Sequence, residues 1–210
     1  MPHTTEWAEF ALQPHATEAA LLEASAAMQR EFLDQQPGFI ARKTLKLADR
    51  HYADLVTWRS VEAAHGAMEK AMSFPACGAY FGLMQVDAAP RTGQPVAEYG
   101  AGSVWCGLEF SNFRLREGAT AAELVSAASE MAQSLYEGQP GFVEHAILHN
   151  GLGEYVDLVL ADSVARAEAL CQSWLTSNEP GGYAKACQRY LSLMEPESVQ
   201  MGFWSRVQGL

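Results

Sequence analysis

The chain has 210 residues, nearly half of them apolar, so it is globular, with room for one large domain or two small ones. Its formal net charge of −11 offers no surplus of cations to neutralise phosphates, which argues against a nucleic-acid partner. No run approaches the length of a membrane span, and Met1-Pro2-His3-Thr4-Thr5-Glu6 has neither the basic start nor the apolar stretch of a secretory signal. A cytoplasmic protein without a membrane partner is expected.

In chain order, Trp7–Leu12 alternates as a strand does, and Pro14 ends it. Thr17 is placed to cap a helix whose apolar stripe is Leu21, Ala24, Met28 and Phe32. Pro37-Gly38 turns the chain, Pro presetting φ and Gly accepting positive φ. Phe39–Leu47 and Tyr52–Trp58 read as a hairpin with its tip at Ala48–His51. Ser60 then caps a helix over Val61–Ser73, and Pro75 starts another over Ala76–Met84. Asp87–Pro95 reads as a loop, and Val96–Val104 as a last strand.

The order then repeats. Gln36-Pro37-Gly38-Phe39 returns as Gln139-Pro140-Gly141-Phe142, and Tyr52, Asp54, Leu55 and Val56 return as Tyr155, Asp157, Leu158 and Val159, each 103 residues on. The shift holds without a gap from Phe10/Phe113 to Val61/Val164. The second copy predicts a strand over Leu108–Leu115 and a helix capped by Thr120 with Glu123 completing a capping box. A hairpin of Phe142–Asn150 with Glu154–Leu160 follows, then a helix capped by Ser163 and about seven extra residues near 178–182. Domain boundaries at 1–104 and 105–210 follow.

Each repeat is therefore β-α-β-β-α-β, an α+β ferredoxin-like unit with two helices on one sheet face. Val56 and Trp58 alternate with Leu55 and Thr57, so both faces carry apolar side chains, and the uncovered face needs a partner. The simplest is the other repeat, which predicts two tandem ferredoxin-like repeats forming an intramolecular dimeric α+β barrel. A further homodimer is left open. The cysteines, Cys77, Cys106, Cys171 and Cys187, form no CxxC pair and read as small buried hydrophobes.

Pro37-Gly38-Phe39, the string from Asp54 to Ala64, Pro75-Ala76-Cys77 with Tyr80-Phe81, and Leu193–Met201 together resemble the antibiotic-biosynthesis-monooxygenase-like domains. The resemblance covers nearly the whole chain in two copies. It implies a fused form of a fold usually built from two chains. It also implies functions ranging from cofactor-independent oxidation of aromatic polyketides to haem degradation. Similar proteins often carry a histidine in the last strand, where this chain has Glu98-Tyr99-Gly100 and Met201-Gly202-Phe203.

Several residues could carry chemistry. Asp54 and Asp157 lie in mid-strand among apolar neighbours, where a carboxylate serves as base or substrate anchor, or else as a structural hydrogen-bond acceptor. His145 and His149 share one strand face, and their counterparts are Arg42 and Lys46. The alternative for this pair is a solvated strand edge. Trp58, replaced by Ala161 in the second repeat, could stack on a flat ligand or simply fill the core. Asp54, Asp157 and His145 are the expected catalytic groups, and Trp58, Arg42 and His149 the expected ligand contacts. Neither a metal nor another cofactor is expected. The expected function is a cofactor-independent monooxygenase acting on a small aromatic or polyketide-like molecule. The alternatives are a non-catalytic barrel that binds a small hydrophobic molecule or is stress-associated, and a structural protein with a filled interior.

Overall fold

The computed structural model describes residues 3–100, 104–176 and 182–207. The chain divides into two units: residues up to Gln94 with those from Arg206 onward, and Pro95–Ser205.

The first unit runs β1 (Thr4–Leu12), α1 (Glu18–Glu31), β2 (Phe39–Ala48), β3 (His51–Trp58), α2 (Val61–Ala71), α3 (Pro75–Phe81), β4 (Met84–Gln85) and the start of β5 (Arg91–Gly100). All pairings are antiparallel: β3 lies between β2 and β1, and β1 pairs on its other side with β4 and with Arg91–Gly93. This is the ferredoxin-like strand order, with a short fourth strand added. β1 begins three residues before the expected Trp7, because Thr4 and Thr5 are buried in the sheet despite being polar. β5 begins at Arg91 rather than Val96: the segment expected to be a loop supplies the backbone partners of Thr5–Trp7. It ends at Gly100, and part of the expected strand lies outside the described residues.

Local chemistry explains the turns. The Thr17 hydroxyl accepts the Ala20 N–H at 3.2 Å, and Ser60 accepts the Ala63 N–H at 3.2 Å. On α1 the buried positions are Leu21, Ser25 and Met28, and the expected Ala24 packs half-buried against the same core. Gly38 has φ +86°, and a Cβ there would stand 2.7 Å from that of Ala63. The β2–β3 hairpin turns at Asp49-Arg50, with Arg50 at φ +62°. The Arg50 guanidinium donates to the carbonyls of Leu12, Gln13 and Ala16 and holds the turn against the body.

The second unit runs β6 (Gly107–Arg114), α4 (Ala121–Met131), a π-helical turn over Ala132–Tyr136, β7 (Phe142–His149), β8 (Glu154–Ala161), α5 (Val164–Thr176), α6 (Gly182–Ser192) and β9 (Gln200–Arg206). β8 lies between β7 and β6, and β6 pairs with β9, so the strand order of the first unit is reproduced. The capping box of Thr120 and Glu123 is present. The Ser163 hydroxyl, expected as a cap, donates to Asp162. Most of the expected insertion near 178–182 lies outside the described residues.

The register repeats too: Glu6 faces Val56 and Ala8 faces Asp54, while Glu109 faces Val159 and Ser111 faces Asp157. Phe10 stacks on Tyr52 at 5.9 Å and meets Tyr80 edge-on at 6.1 Å; Phe113 does the same with Tyr155 at 5.8 Å and Tyr190 at 6.3 Å. Each unit thus has its own core between sheet and helices. Cys77, Cys171 and Cys187 are buried as expected, whereas Cys106 is exposed, because it precedes β6 and only its backbone N–H reaches the sheet, at Ala161. No described helix is long and apolar enough to cross a membrane.

Candidate functional site

Strand alternation puts Asp54, Val56 and Trp58 of β3 on the face of their sheet that the helices cover, with Arg42 and Thr44 beside them on β2. Asp54 is buried, and three neighbours hold it. Arg42 donates from Nη2 to Oδ2 at 2.8 Å, Tyr80 of α3 donates to Oδ2 at 3.0 Å, and Thr44 donates to Oδ1 at 2.9 Å. Arg42 also donates from Nη1 to the Ser25 hydroxyl at 2.8 Å, and its guanidinium lies 4.7 Å from the centre of the Tyr80 ring. Burial works against the Arg42 charge, but Asp54 and Tyr80 outweigh it and the pKa moves up. The Tyr80 hydroxyl is pushed well above its ordinary range, by burial first and then by Asp54.

Glu6 stands on β1 between Val56 of β3 and Thr92 of β5. Its carboxyl is pushed up to about 7, chiefly by burial and then by the charge of Asp54, with the Trp58 indole pulling the other way. A carboxyl poised there exchanges a proton near neutral pH. It borders a cavity of about 230 Å³ between the sheet and helices α1, α2 and α3 of this unit. The sheet side of the cavity includes Glu6, Ala8, Asp54, Val56 and Trp58, and the helix side includes Met28, Phe32, Ala64, Ala67 and Cys77. Arg42 also borders it.

The second unit also brings the corresponding groups together. His145, the counterpart of Arg42, has Nε2 3.0 Å from Asp157 Oδ1. Tyr190 donates to Asp157 Oδ2 at 2.6 Å, and the Ser111 hydroxyl donates to Glu109 Oε1. Glu109, Asp157 and His145 are all fully buried. Burial and then Asp157 drive the Glu109 carboxyl well above the carboxylate range. His145 is therefore in the core, stacked on Tyr99 at 5.6 Å and edge-on to Tyr136 at 5.2 Å, and not at a solvated strand edge. The fully buried Tyr136 stands where the first unit has Leu33. His149 is apart from this group, half-buried with its ring 4.5 Å from that of Tyr155. Its counterpart Lys46 pairs with Glu18 at 2.5 Å.

The structure thus brings Asp54, Arg42 and Trp58 to one cavity, and Asp157 and His145 to one buried cluster. Glu6 and Glu109 were missing from the sequence reading. Their signal was present: they are identical residues at the 103-residue shift, four positions before the gapless alignment begins. Among the described residues, no group of three or more His, Cys, Asp or Glu side chains is arranged to hold a metal ion.

No protein-family model matches the chain, and no curated protein matches it. Solved structures do. An anthrone oxidase-like protein is similar with a TM-score of 0.63 at 13% identity, covering 98% of this chain and 92% of its own. A ferredoxin-fold protein from Listeria monocytogenes, related to antibiotic biosynthesis monooxygenases, has a TM-score of 0.53 at 8% identity, over 98% and 95% of the two chains. A mutant chlorite dismutase from Candidatus Nitrospira defluvii has a TM-score of 0.62 at 9% identity, over 97% and 90%. At such identities the likeness shows the fold alone. It is the α+β fold of monooxygenase-related proteins over nearly the full chain, and that fold serves more than one activity.

Proposed function

We propose that the chain takes a small hydroxylated aromatic molecule into the cavity of the first unit and oxidises it with molecular oxygen, without a cofactor. The observation that carries this reading is Glu6: a carboxyl with pKa about 7 at the edge of a largely apolar cavity. An apolar cavity of roughly 150 Å³ holds benzene. The 230 Å³ found here therefore suits about two fused rings.

Such a reaction draws its electrons from the substrate. A naphthol and one O2 give a naphthoquinone and water: one oxygen atom enters the ring, and the other leaves with the two hydrogens lost by the substrate. Glu6 takes the hydroxyl proton, which leaves an electron-rich naphtholate to react with O2. Arg42 supplies positive charge beside that anion, where little water screens it. Asp54 has both oxygens engaged and acts as the support that fixes Arg42. Trp58 offers an apolar face. Asp157 and His145, in the core of the second unit, play a structural part in this reading.

The test is oxygen uptake with 1-naphthol and related hydroxyarenes, with no added metal. Wild type should consume oxygen in a 1:1 ratio to quinone formed. Glu6→Gln should bind 1-naphthol with unchanged affinity and lose turnover at least a hundredfold. Tight binding without oxygen uptake across the panel would favour the non-catalytic binding role instead.

A further inference from the structure

The cavity has an apolar lip. Most residues that border it are buried, but Met68, Met72, Val86 and Pro90, together with Glu9 of β1, border it and also reach solvent. They therefore mark its opening, between the end of α2 and the segment linking β4 to β5. Met72 is 76% exposed and Val86 54%, so large apolar side chains stand in water directly outside an apolar chamber. Met68 and Met72 are four residues apart at the end of α2, so they lie on one face. Methionine is unbranched and adapts to a flexible apolar partner. Where the first unit has Met68, the second has the buried Cys171.

Resting on the reading of the cavity as an aromatic site, we infer that its substrate carries a hydrocarbon chain on the ring system, and that the chain leaves the cavity across Met68, Met72 and Val86. The chamber has room for about two rings and little more, so any further apolar part of the ligand must pass through this opening. A chain there would cover surface that is otherwise wet, and it would select alkyl-substituted hydroxyarenes over bare ones. These residues determine specificity and take no part in the chemistry.

The experiment compares 1-naphthol with 2-hexyl-1-naphthol on the full chain by titration calorimetry. A methylene half-shielded by an apolar wall gains roughly twofold in affinity, so the hexyl compound should bind roughly 50-fold more tightly. In the double variant Met68→Ser, Met72→Ser that advantage should fall below about fivefold, while the affinity for 1-naphthol stays within about twofold of wild type. Equal affinity of the two compounds for wild type, or the full advantage kept in the variant, overturns the inference and leaves the cavity reading standing. If neither compound binds, both fall. Sedimentation gives the remaining outcome: a wild-type dimer that the double variant dissociates would assign the lip to a second copy of this chain and overturn the inference.

Discussion

Glu6 links the proposed site to stability, and the link can be measured without knowing the substrate. Its carboxyl has a pKa of about 7 in the folded protein, against 4.5 for the group free in water. Between those values the folded state holds a proton that the unfolded chain has released. Folding is therefore favoured most below pH 4.5, and the contribution is lost as pH rises through 7. The difference of about 2.5 pKa units corresponds to about 3.4 kcal/mol in full, of which about 2.5 kcal/mol is lost between pH 5 and pH 8. Glu6→Gln keeps the size and neutrality of the protonated acid and removes the titration. Urea unfolding of wild type and variant at pH 5 and pH 8 isolates the group, because every other titration appears in both. The variant should be close to wild type at pH 5 and gain about 2 to 3 kcal/mol relative to it at pH 8. If the two proteins show the same pH dependence, the Glu6 carboxyl is not held protonated by its surroundings, and its assignment as the proton acceptor loses its basis.

Asp54→Asn removes the partner of a buried guanidinium and should cost about 3 kcal/mol of stability by the same assay. Thr120→Ala breaks the capping box and should cost about 1 kcal/mol. Gly107→Ala places a Cβ 2.2 Å from the carbonyl carbon of Ser163, so the backbone must move. Its melting temperature should fall well below that of Gly118→Ala, which has a positive φ but nothing within 4 Å and should cost about 1 to 2 kcal/mol.

Much of the fold was legible because the chain states it twice. The turns at Gly38 and Gly141, with φ of +86° and +79°, and the caps Thr17, Ser60 and Thr120 carry their geometry in their residue types. Elements with polar residues in buried positions were harder to see. Thr4, Thr5 and Glu6 disguise the start of β1, because alternation analysis treats a polar residue as facing water. Arg91-Thr92-Gly93 looks like a loop, since only its pairing with β1 makes it strand. Asp54 and Arg42 were identifiable as candidates, yet their mutual ion pair depends on adjacent strands and could not be read from spacing. The buried place of His145 is hidden in the sequence because the acid it meets, Asp157, lies on the neighbouring strand, where spacing along the chain does not show the contact.

Unit membership also sets a timetable. Val207 lies in the core of the first unit, and its N–H bonds to the Thr44 carbonyl at 2.9 Å. On the ribosome, the half that bears the chamber must wait for a residue made after the whole of Pro95–Ser205. The later-encoded half can mature first, and the core of the earlier one is completed afterwards by Val207. A tag or truncation placed just past residue 206 would then be felt in a compartment encoded more than a hundred residues upstream.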